Sequence, residues 1–123
     1  MTLREELESI GRNARGAADT LRSLSRAVKD DALRRAAARL RAGKARIQAE
    51  NAKDLEAGRA KGLSAAMLDR LELTDKRIEA MAEGLDIVAA LPDPVGDIVH
   101  QYVHPNGLRI AQIRQPLGVV GII

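Results

Sequence analysis

Four groups of residues in this 123-residue chain have types and spacings that chemistry could use. Gly118 and Gly121, after Pro116, have a Gly-x-x-Gly spacing like that of a loop that cradles phosphate with backbone amides. A third glycine, a Lys-Ser/Thr pair and a following helix are missing, and glycines that permit close backbone packing in a buried strand account for the same pattern. His100 and His104 have the i, i+4 spacing that binds metal on a helix. They fall on a predicted strand, where such residues lie ~13 Å apart, so they read as ordinary strand or turn residues. Asp69 and Arg70 read as a charge pair at a helix end, fixing the loop before Thr74, and Asn51 and Asp54 could tie down a neighbouring loop. No Ser-His-Asp set, catalytic carboxylate pair or Cys-His dyad can be assembled. The visible residues are scaffold rather than active site.

The elements that position these residues are mostly helical. Thr2 and Glu5 have capping-box spacing, and behind them Leu3, Leu7, Ile10, Ala14, Ala17 and Leu21 recur every three or four residues as one apolar stripe. A break is predicted at 23–25. A second helix follows with Leu33, Ala36, Ala37 and Leu40 on its buried face, interrupted at Gly43. A third carries Ile47, Asn51, Asp54 and Leu55, frays near Gly58 and stops at Gly62. Ser64 starts a short helix through Leu71, and Thr74 caps another with Ile78, Met81, Leu85 and Val88, ended by Pro92 and Pro94. From Val95 the period changes. Strands are predicted over 97–103 and 108–115, joined by the turn signal Pro105-Asn106-Gly107, with Asn-Gly supplying the positive φ of a tight hairpin. Neither ribbon face is cleanly polar, which points to cover by another chain or domain. The run 116–123 reads as the start of a buried parallel strand that breaks off before its sheet.

Composition narrows the function classes. Tyr102 is the single aromatic residue, so a self-contained core would be thin. The net charge of +3 is the difference between 20 basic and 17 acidic residues, without the clustered excess of a nucleic-acid surface. The basic stretch at 34–46 reads as a solvated helix face. There is no cysteine, hence no disulfide framework and no thiol nucleophile in this chain. No segment has the ~18 consecutive apolar residues of a membrane span, and the charged start is unlike a signal peptide. A cytoplasmic protein without nucleic-acid or membrane partners is expected.

The ordered combination of Asn51-Ala52-Lys53-Asp54-Leu55, Gly62-Leu63-Ser64, Asp69-Arg70-Leu71, Leu73-Thr74 and Arg77-Ile78 resembles the N-terminal region of the γ-glutamyl phosphate reductase family. These enzymes, also called glutamate-5-semialdehyde dehydrogenases, are a branch of the aldehyde dehydrogenase superfamily. The resemblance continues through Leu91-Pro92-Asp93-Pro94-Val95-Gly96, Asn106-Gly107-Leu108-Arg109 and the run from Arg114 to Ile123, and so covers nearly the whole chain. The Pro-Leu-Gly-Val-Val-Gly segment alone would support only the wider superfamily.

The resemblance implies an α/β full-length enzyme with a Rossmann-like cofactor domain, of which this chain is an N-terminal fragment. The fragment would be mostly α-helical, with a C-terminal β-hairpin and the start of a buried strand. Residues 1–94 would be the helical part of the cofactor-binding domain, 95–115 a hairpin of the oligomerisation type, and 116–123 the first strand of the cofactor-binding sheet. The implied activity is NADPH-dependent reduction of γ-glutamyl phosphate to glutamate γ-semialdehyde and phosphate, in proline biosynthesis. In that family a cysteine thiolate attacks the acyl phosphate, and an asparagine and a backbone amide stabilise the oxyanion. Both side chains lie downstream of Ile123, so no catalytic residue is carried over and the chain alone is expected to be inactive. Ile122 and Ile123 are expected to line the cofactor cleft, and no metal ligand is expected. A homo-oligomer through the hairpin is implied. The alternatives are another aldehyde dehydrogenase-superfamily enzyme and a stand-alone helical dimerisation module.

Overall fold

The computed structural model describes residues 2–122. In chain order they form α1 (Leu3–Ser23), α2 (Arg26–Ala42), α3 (Lys44–Ala60), α4 (Ala65–Leu71), α5 (Asp75–Ala90), β1 (Ile98–Val103) and β2 (Arg109–Ile113). Two compact units result: Ala27–Leu91, which holds α2 to α5 almost entirely, and Met1–Arg26 with Pro92–Ile123, which holds α1 and the ribbon.

The helix boundaries follow from local chemistry. Thr2 and Glu5 form the expected capping box: the Thr2 hydroxyl accepts from the Glu5 amide, and the Glu5 carboxylate accepts from the Thr2 amide at 2.7 Å. Ser64 and Thr74 cap α4 and α5 by accepting from the amides of Met67 and Arg77. Helix α3 ends in a Schellman motif. Gly62 takes φ +75°, its amide donates to Arg59 O, and the Leu63 amide donates to Gly58 O.

The core of the Ala27–Leu91 unit is small and rich in alanine. Ala37, Ile78, Ala82 and Ala89 are buried, as are Asn51 and Gly58, with Leu33, Leu40, Ile47, Leu55 and Leu85 half-covered. The buried face of α5 therefore differs from the expected one. Ile78 is on it, but Met81 and Val88 are exposed and alanines 82 and 89 point inward. Small residues at those positions allow the close approach that the longer side chains would prevent. Gly58 serves the same end between α3 and α4. A Cβ there would stand 2.9 Å from Leu63 Cδ1 and 3.1 Å from Leu68 Cδ2.

Strands β1 and β2 pair antiparallel with Tyr102 opposite Ile110 and Gln101 opposite Ala111, and the register shifts between Ile98 and His100. They are shorter than expected. Their turn is also of another kind. The Gly107 amide donates to His104 O at 2.8 Å and Gly107 has φ +88°, whereas Asn106, like every described non-glycine residue, avoids positive φ. Asn106 instead accepts from the Leu108 amide at 3.0 Å, and Pro105 supplies the fixed φ of the first corner. Residues of both strands are exposed on both faces, with Ile110 the half-covered exception.

The expected buried strand at 116–123 is not formed over its described residues. Residues 116–122 join no ladder, Leu117 and Ile122 are each 91% exposed, and Gly118 has φ +99°. A strand exists only by pairing, and among the described residues β1 and β2 pair solely with each other.

Candidate functional site

Two of the polar residues singled out in the sequence, Asn51 and Asp69, meet at one place, the connection between α4 and α5. Asn51, near the middle of α3, is 6% exposed. Its Nδ2 donates to Leu71 O at 3.0 Å, and its Oδ1 accepts from the Leu73 amide at 2.7 Å. One side chain thus satisfies a donor and an acceptor of a loop that would otherwise bury them unpaired. One turn earlier, Gln48 donates to Asp75 Oδ1 at 2.7 Å and to Leu73 O at 3.4 Å. Lys44, a further turn back, pairs with Asp75 Oδ2 at 2.9 Å. The three residues are spaced so that they share a face of α3. The hydrogen bonds and charge from Lys44 and Gln48 hold the Asp75 carboxyl below its ordinary pKa.

From the other side Arg77 straps the end of α4. Its guanidinium donates to the carbonyls of Asp69 and Glu72 and to Asp69 Oδ2 at 3.0 Å. The expected Asp69–Arg70 pair is thus replaced by Asp69–Arg77. Neighbours one residue apart on a helix diverge by about 100°, whereas Arg77 returns across the loop. Of the expected pair Asn51 and Asp54, Asn51 makes the loop contacts and Asp54 is exposed. The stretch 34–46 is also more than a solvated face. Arg41 bridges α2 to α5 through Glu79 and Asp86, each at 2.8 Å, and both interactions push its pKa up.

This arrangement fixes geometry. No described buried polar side-chain atom lacks a partner. No group of three or more metal-ligating side chains gathers among the described residues. His100 lies on β1, with its ring 5.5 Å from that of Tyr102, and His104 closes the ribbon turn through its backbone. Gly118 and Gly121 lie in the unpaired segment together with Ile122, and Ile123 lies outside the described residues. Missed in the sequence were Gln48, Lys44 and Asp75. The signal for them was the 44, 48, 51 spacing, which puts three hydrogen-bonding side chains on one helix face.

No described helix is long and apolar enough to cross a membrane. No family model matches the chain. Comparison with individual proteins is more informative. The chain is 52% identical over 123 residues to the γ-glutamyl phosphate reductase of Geotalea daltonii, covering all of this chain and 29% of that protein. To the enzyme of the same name from Rhodospirillum rubrum it is 56% identical over 114 residues, 93% of this chain and 27% of the relative. Among solved structures, the γ-glutamyl phosphate reductase of Thermotoga maritima superposes with a TM-score of 0.85 at 36% identity, covering 90% of this chain and 27% of that one. The Saccharomyces cerevisiae enzyme superposes with a TM-score of 0.81 at 32% identity, over 88% of this chain and 28% of the other. The chain therefore spans less than a third of the length of the relatives it matches. The resemblance read from its motifs is borne out: in sequence and in fold, this chain is similar to a segment of γ-glutamyl phosphate reductase.

Proposed function

We propose that this chain is a segment of an NADPH-dependent γ-glutamyl phosphate reductase of the aldehyde dehydrogenase superfamily, acting in the cytoplasm in proline biosynthesis. The observation that carries the reading is the end-to-end identity of 52% to one such reductase. In the full-length enzyme, γ-glutamyl phosphate would accept a hydride at its acyl carbon and release phosphate, giving glutamate γ-semialdehyde and the oxidised nucleotide. The segment supplies support. The Asn51, Gln48 and Arg77 contacts hold the α4–α5 connection in one conformation, and the ribbon β1–β2 is the surface through which the enzyme would form a homo-oligomer.

The residues of this chain do not by themselves fit a nicotinamide cofactor. Ile122 is 91% exposed and the described backbone from Pro116 joins no sheet, so among the described residues this segment encloses no cleft. The nucleophilic thiolate is likewise outside a chain with no cysteine. In the full α/β protein, 116–123 would become the first strand of the cofactor-binding sheet, with Ile122 and Ile123 lining the cleft. The division into 1–94, 95–115 and 116–123 belongs to this reading.

The reverse reaction is the test. A full-length protein carrying this sequence should reduce NADP⁺ when given glutamate γ-semialdehyde and inorganic phosphate, and omission of phosphate should abolish the signal. The 123-residue chain alone should show none. Phosphate-independent reduction, or activity of the short chain, would overturn the proposal.

A further inference from the structure

We draw no further inference here: the strongest candidate, the open groove along α2 lined by Ala32, Arg35, Ala36, Ala38 and Arg39, is an unpartnered face of small residues and arginines, and nothing in the structure shows what covers it.

Discussion

Asn51 is the residue on which the most backbone depends. Its amide is buried and spends both ends on one loop, so Asn51→Ala would leave Leu71 O and the Leu73 amide without partners. Each buried unpaired group costs ~1–3 kcal/mol, and we expect the variant to lose at least ~2 kcal/mol in urea unfolding followed by circular dichroism. Asp54, exposed one turn later, should be replaceable by alanine with little effect. Asp75 carries a pH signature. Its carboxyl titrates below the ordinary value because Lys44 and Gln48 favour the charged form. Its stabilising contribution is present above the unfolded-state pKa and is lost as pH falls through the lower folded-state one. Acid titration of stability should therefore show a decline in that window which Asp75→Asn flattens. That Asn51 and Asp69 do structural work was legible in the sequence. Which partner each takes was not, because Arg77 reaches Asp69 only after the chain has turned back.

At the scale of elements, the sequence is most readable where a single residue decides. Thr2, Ser64, Thr74, Gly62 and Pro92 mark ends through their own hydrogen bonds, φ or missing amide, and helices begin and stop beside them. Facing is less readable, since alanine is compatible with either side of a helix. In α5 the stripe of larger residues suggested one face, and the demand for close packing turned Ala82 and Ala89 inward. Gly58 illustrates the same demand between α3 and α4. Weak helix propensity suggested fraying, while the structure uses the missing side chain as room for Leu63, Leu68 and Leu71. Gly58→Ala should thus destabilise by about 1–3 kcal/mol despite alanine's better propensity, with a lower urea midpoint as the readout. A gain in stability would show that the leucines yield freely. Strand pairing at 116–122 was the least legible feature, because an apolar, β-branched run encodes readiness to pair but not the presence of a partner.

For the whole molecule, exposed apolar surface lies on the α1 stripe, on both faces of the ribbon, over 116–122, and in Ala27–Leu91 at Val28, Met67, Met81, Ile87, Val88 and Leu91. The buried core among the described residues, Ala37, Ile78, Ala82 and Ala89 with Asn51, lies wholly within Ala27–Leu91. That much open apolar surface around so small a core fits a chain spanning under a third of its relatives' length. The ribbon tip adds a consequence for how long the molecule remains chemically intact. An asparagine followed by glycine can cyclise when the glycine amide nitrogen attacks the asparagine side-chain carbonyl carbon and expels ammonia, giving a cyclic imide that water then opens to a carboxylate. In the closed turn, both reacting groups are occupied: the Gly107 amide by His104 O and the Asn106 side chain by the Leu108 amide. Ageing at this position is therefore gated by opening of the turn. Any partner that clamps the ribbon would also preserve its amide, and a chain left uncovered would slowly acquire a new negative charge at its tip.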